Sequence, residues 1–254
     1  MKKLSSFDEI RWALPSLEEK KDYFVADIMP STFSAYVKLL HPFYEDTEIT
    51  DHSMGWDEYY HPWSSRKQQM ADEIVEQAKL YGGTTRAPHL RSISWRELAK
   101  KYSVVFNEGI TGNAFQRGMP DGKWPRYLIG PAAGELTNGM TQALVDLLKP
   151  YTTNEDCFFY FWCLATKIPK NPHDWGDVLY EGLLKDVALF LDGKIEEVNR
   201  TPTYWIPKSR QWLVCSDYDL DFTLVGGSEE LIEGLLNSQS LECVRCELGS
   251  KISS

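Results

Sequence analysis

The stretch Cys157-Phe158-Phe159-Tyr160-Phe161-Trp162-Cys163-Leu164-Ala165 decides how the chain is read. Cys157, Phe159, Phe161 and Cys163 fall on one parity, and Phe158, Tyr160 and Trp162 on the other. Successive side chains of a strand point to opposite faces. A run that is apolar on both parities therefore predicts a central strand in a sheet covered on both sides. It is much shorter than the roughly 20 apolar residues that span a bilayer. The chain around it has 254 residues, of which 43% are hydrophobic, enough to bury such a core.

Working outward, further strands are expected at Asp186 to Asp192, Tyr204 to Ile206, Gln211 to Ser216, Asp221 to Val225 and Leu241 to Leu248. Asp22 to Pro30 and Thr32 to Pro42 read as a hairpin turned at Pro30-Ser31, with Phe33, Ala35, Val37 and Leu39 alternating against Ser34, Tyr36, Lys38 and Leu40. His41 to Trp63 reads as an irregular loop. Helices are expected from Arg66 to Tyr81, where Ser65 and Gln68 form a capping box and Gly82-Gly83 a stop, and after Ser94, which pairs with Glu97. Two more follow at Thr137 to Lys149 and Ser228 to Leu236. Interspersed helices and strands favour an α+β class, with a mixed, mainly antiparallel sheet and flanking helices. The expectation is one domain over residues 1–254. If there are two lobes, the turn-rich Gly118 to Gly134 segment divides them.

The charge is uneven. Lys and Arg number 27 against 37 Asp and Glu. Between Leu39 and Ser65 there is no base but six acids (Glu45, Asp46, Glu48, Asp51, Asp57, Glu58), and between Gln211 and Val244 no base but seven (Asp217, Asp219, Asp221, Glu229, Glu230, Glu233, Glu242). Outside these blocks 24 acids face 27 bases. Thr84 to Tyr127 is basic, with eight Lys and Arg against three acids. The acid blocks either neutralise this basic segment within the fold or form a face for a basic partner protein. An RNA grip by the basic segment and its Trp95, Tyr102, Phe106 and Trp124 is weighed against the net charge of −10, which disfavours nucleic acid. No apolar run suggests a signal peptide or membrane span, and five cysteines do not suggest a disulfide framework, so a cytoplasmic setting with reduced thiols is expected.

Several motifs fail on inspection. Asp219-Leu220-Asp221-Phe222-Thr223-Leu224 superficially matches the haloacid-dehalogenase signature, yet Phe222 stands where Gly is wanted and only 33 residues follow Asp221. Phe222 and Ser228 also violate the sixth and twelfth positions of an EF-hand beginning at Asp217. Cys243 and Cys246 form a lone pair whose thiols would point to opposite faces of a strand. Gly118 to Lys123 is one residue short of a phosphate-binding loop, and no Gly-x-Ser-x-Gly elbow exists. Two looser constellations survive. His41, His52 and His61 lie among acids and could bind a divalent metal, and Asp217, Asp219 and Asp221 follow one another at period two. Trp205 and Trp212 bracket Lys208 and Arg210, so that Arg210 could stack on indole and line a pocket.

The run Trp205-Ile206-Pro207, Arg210-x-Trp212-x-Val214-Cys215, Asp217-x-Asp219 and Val225-Gly226-Gly227-Ser228, with Ala35-Tyr36 and His41-Pro42, resembles a family of bacterial proteins of no established activity. Those proteins carry a similar Trp-Pro-x-x-Arg-x-Trp stretch, an acidic strand and a Gly-Gly turn. The likeness spans Ala35 to Leu241, departing where Ile206 replaces a usual Trp and in the Val214-Cys215 order. It implies a shared fold and compartment and names no catalytic residue.

The sequence thus leads to a noncatalytic, immunity-like binding protein without cofactor, whose acidic aromatic surface comprises Asp217, Asp219, Asp221, Trp205, Arg210 and Trp212. The alternative is a metal-dependent hydrolase or transferase using His41, His52 and His61 or the three aspartates.

Overall fold

The computed structural model describes residues 1–14, 24–53, 55, 89–162, 176–195, 198 and 200–252. The chain divides into two compact units. One holds Met1–His41, Asn107–Gly109 and Ala133–Ser253, and the other Pro42–Phe106 and Ile110–Ala132.

The larger unit is built on an eight-stranded antiparallel sheet of β1 (Lys2–Leu4), β2 (Ala35–Leu40), β6 (Asp156–Phe161), β7 (Val178–Leu183), β8 (Tyr204–Pro207), β9 (Leu213–Cys215), β10 (Phe222–Gly227) and β11 (Cys243–Cys246). The spatial order is β1-β7-β6-β8-β9-β10-β2-β11. β6 lies inside the sheet, between β7 and β8, as its double apolar parity predicts. Its Cys157, Phe159 and Phe161 join Val37, Leu39, Trp205, Trp212, Val214, Val225 and Cys243 in a core closed by two helices. These are α4 (Asn138–Leu148) and α6 (Glu229–Leu236), started by the side chains of Thr137 and Ser228.

The opposite face is equally dry. In register, Tyr160, Tyr204, Cys215, Leu224, Lys38 and Val244 form one row across six strands, each residue less than 9% exposed. The N-terminal segment covers this face. Phe7 packs edge-on against Tyr160, the Tyr204 hydroxyl donates to Ile28 O at 2.9 Å, and the Tyr36 hydroxyl donates to Pro30 O at 2.7 Å. Close cover requires Gly226, where a Cβ would come within 2.6 Å of Phe33. Lys38 occupies the parity expected to be polar, yet it is fully buried, with Nζ donating to Lys251 O and lying 4.5 Å from the Phe222 ring centre. Burial lowers its pKa.

The smaller unit carries β3 (Phe43–Asp46), β4 (Leu90–Ile93) and β5 (Leu128–Ile129), ordered β4-β3-β5, with α2 (Trp95–Tyr102) and α3 (Gly112–Gln116). Phe43 is its pivot, meeting Trp95 at 5.0 Å, Phe115 at 5.3 Å and Trp124 at 6.0 Å between ring centres. The Ser94–Glu97 capping box starts α2 as expected.

Four expectations are corrected. Val25–Ile28 forms a helical turn, α1, in place of a hairpin arm, because Asp27 accepts the Phe24 N–H at 2.7 Å. The strand expected at Asp186 to Asp192 is helical through Leu191, with Leu184–Val187 as a 3-10 turn running into α5 (Ala188–Leu191). Leu184, Val187 and Phe190 recur every third residue and point to the core, and Asp186 accepts the Leu183 N–H at 2.9 Å, so local capping and period three prevail over apparent alternation. The strand of that region is β7, one step earlier. The 41–63 loop contains β3, and the Gly226-Gly227 pair ends strand β10 where a turn was expected. The Arg66 to Tyr81 helix lies outside the described residues. Among the described residues no helix is long and apolar enough to cross a membrane.

If β6 is the interior strand that anchors the core, Phe159→Ala will cost about 3–5 kcal/mol, read as a lowered urea midpoint at unchanged slope. Val105→Ser, at a site 73% exposed, will change stability by less than about 0.5 kcal/mol.

Candidate functional site

Both faces of the large sheet are covered, which leaves its two ends for polar chemistry. At one end β9 turns into β10 through Ser216 to Asp221. The Asp217 carboxylate accepts the Asp219 N–H at 3.0 Å, and the Leu220 N–H donates to Asp217 O at 3.0 Å, so the loop is a closed local turn. Gly134 seats it: the Gly134 N–H donates to Leu220 O at 2.8 Å, and a Cβ there would lie 2.6 Å from the Tyr218 Cα. Behind the loop, Ser216 Oγ and Thr223 Oγ1 are 2.6 Å apart, and Thr223 Oγ1 is 2.9 Å from His41 Nε2. This buried chain ties the loop base to the end of β2.

The acids gather here with aromatic rings. Tyr218 packs on Trp162 with ring centres 5.5 Å apart. At the same end of the strands, the Tyr160 hydroxyl donates to Asp177 at 2.6 Å. Asp217 is held above the usual carboxylate range, first by burial and then by the like charge of Asp219, against the lowering effect of the Asp219 N–H. Among the described residues neither Asp217 nor Asp219 has a Lys or Arg within ion-pairing distance.

Part of the other acid-rich stretches is neutralised. Glu45 pairs with Arg91 and lies 3.6 Å from Lys101, joining the first acid block to the basic segment within the smaller unit. Arg245 holds Glu229 at 2.9 Å and Glu233 at 2.5 Å. The second block therefore divides, Glu229 and Glu233 of its helix being paired and Asp217 and Asp219 of its loop not. The aromatic residues of the basic segment are committed as well: Trp95 and Tyr102 are buried, Trp124 stacks on Phe43, and Arg96 covers Phe106 at 4.2 Å.

The residues expected to form a binding surface part company. Asp217, Asp219 and Asp221 share the loop, whereas Trp205 and Trp212 are fully buried in the helix-side core, the Trp212 indole donating to Thr152 Oγ1 at 3.1 Å. Both belong to the parity that faces α4 and α6, which excludes them from any surface. Arg210 is exposed at the opposite end of the sheet and does stack on an indole, that of Trp12, with the guanidinium carbon 5.4 Å from the ring centre. Trp12 carries no sequence signal that pairs it with Arg210, since it sits in a charged N-terminal segment far from Arg210 in the chain.

His41 is fully buried on Thr223, His52 stacks on Tyr127 at 4.3 Å, and His61 lies outside the described residues. A different group, Asp46, Glu48 and His89, offers donor atoms all within 4.8 Å of one another. The two ring nitrogens of His89 face different carboxylates, Nε2 towards Asp46 and Nδ1 towards Glu48, each at 3.9 Å. That arrangement suits an imidazole bridging two acids as well as a metal. Burial raises the pKa of Cys215 and pushes Cys243 and Cys246 up to about 12, so none of these three is an activated thiol. As expected, Cys243 and Cys246 serve opposite faces, Cys243 in the helix-side core and Cys246 beside Lys38.

Asp217→Asn retains an acceptor for the Asp219 N–H and removes a charge that burial penalises. Because the folded-state pKa is raised, ionisation costs stability at neutral pH, and the cost disappears as pH falls through the raised value to the unfolded one. The variant will therefore be more stable than the parent at pH 7, with the gain fading on acidification in parallel urea titrations. No family model, curated protein or solved structure matches the chain, so its functional reading rests on this geometry.

Proposed function

We propose that the chain is a binding protein that holds a basic partner protein at the acidic aromatic end of its eight-stranded sheet. One observation carries this reading: Asp217 and Asp219 remain without a cation among the described residues while Asp217 is buried enough to be raised by it. Uncompensated charge of this kind costs the fold stability. A cationic partner would recover that cost on binding. Tyr218 and Trp162 supply aromatic area beside the charges, and Tyr and Trp are enriched in the centre of interfaces. Trp205 and Trp212 have no part in this surface, and Asp177 joins it. The four described cysteines are free and buried, which fits a cytoplasmic setting.

A second reading, a divalent-metal enzyme, draws on Asp46, Glu48 and His89. It requires saturable binding of Zn²⁺ or Mn²⁺ that His89→Ala abolishes.

Calorimetric titration with a short Lys/Arg-rich peptide tests the proposal. The parent will bind, more weakly as salt rises, and Asp217→Asn with Asp219→Asn will weaken binding by about tenfold or more. Equal affinity of parent and double variant, or failure of the parent to bind at low salt, would overturn it.

A further inference from the structure

We infer that the opposite end of the same sheet carries a separate site for a small apolar molecule bearing a carboxylate. A groove of about 480 Å³ runs there between the N-terminal segment and strands β6, β7 and β8, within the size range of small-molecule sites. Phe158 and Ile206, on the sheet face that the N-terminal segment covers, supply its apolar floor, and Trp12 is part of its wall.

Of the three acids along the groove, Asp8 and Glu181 already have partners and Glu9 is exposed. Asp8 is held by Arg11 at 3.2 Å and by Ser6 at 2.8 Å, Glu181 pairs with Lys208, and Lys208 also feels the charge of the exposed Glu9. Two donors remain. The Trp12 indole Nε1–H is buried without an acceptor, and the Arg210 guanidinium has no carboxylate within ion-pairing distance among the described residues. A buried donor without an acceptor is uncommon and calls for an explanation. A planar guanidinium is suited to gripping a carboxylate by two parallel hydrogen bonds.

The backbone gives an independent indication. Arg210 closes a tight turn, its N–H donating to Pro207 O at 2.9 Å, with φ at 58°. Among the described residues the other non-glycine positions with positive φ are Ser103, Asp121 and Asn154, all small or turn-forming. A long side chain is disfavoured in the left-handed region, and such conformations collect at ligand clamps. The turn aims the Arg210 side chain back over the Trp12 ring, at the wall of the groove.

The test uses the full chain with N-acetyl-L-phenylalanine, which has a ring and a carboxylate but no ammonium, and its amide, which lacks the carboxylate. Indole ¹⁵N–¹H spectra follow the Trp12 resonance during titration. The acid will shift that resonance and bind about tenfold or more tightly than the amide. Arg210→Asn, a residue that tolerates positive φ, will remove this preference, leave folding intact and leave binding of the Lys/Arg-rich peptide unchanged. Equal affinities for acid and amide, a preference that survives in Arg210→Asn, or no Trp12 shift at millimolar acid would overturn the inference.

Discussion

The large sheet is apolar on both faces, and this constraint governs the rest of the structure. The row from Tyr160 to Val244 is as dry as the row of Phe159, Trp205, Val214 and Val225 behind it. Two layers of cover are therefore required. Helices α4 and α6 supply one, and the N-terminal segment, with help from the C-terminal residues that reach Lys38, supplies the other. With both faces closed over the interior strands, the open sites lie towards the strand ends, the groove floored by Phe158 and Ile206 among them. Polar groups not consumed by the fold collect where strands end, with the 216–221 loop at one end and the Pro207–Arg210 turn at the other.

Charge follows the same logic. The net charge of −10 looks like a bulk property of the chain, but its acids have different fates. Glu45 is absorbed by Arg91 and Lys101, and Glu229 and Glu233 by Arg245. Asp217 and Asp219 are held together by their own backbone turn; burial, and after it the like charge of Asp219, raises Asp217 while the Asp219 N–H opposes the rise. A loop with no function would gain stability by losing one of these carboxylates.

Local signals were legible in the sequence. The capping residues Ser94, Thr137 and Ser228 identify their helices because a cap and its target lie within one turn. The double parity of 157–161 identifies the interior strand. Lys38 and the helical turns at 25–28 and 184–191 were harder to read, since burial of a lysine and the outcome of a four-residue pattern are decided by tertiary packing. The acidic loop was visible as Asp217, Asp219 and Asp221, and so was a stacking role for Arg210. Its indole partner was not, because Trp12 meets Arg210 only after β6, β7 and β8 have assembled beneath the N-terminal segment. Trp205 and Trp212 drew attention as flanking aromatics although strand parity assigns both to the core.

The most direct measurement is a carboxylate ¹³C NMR titration of Asp217 in the free protein and with a Lys/Arg-rich peptide bound. An uncompensated acid awaiting a basic partner should titrate above the ordinary carboxylate range when free and fall towards or below it in the complex. An Asp217 that titrates at or below the ordinary range in the free protein would mean that its charge is already compensated, contradicting the account.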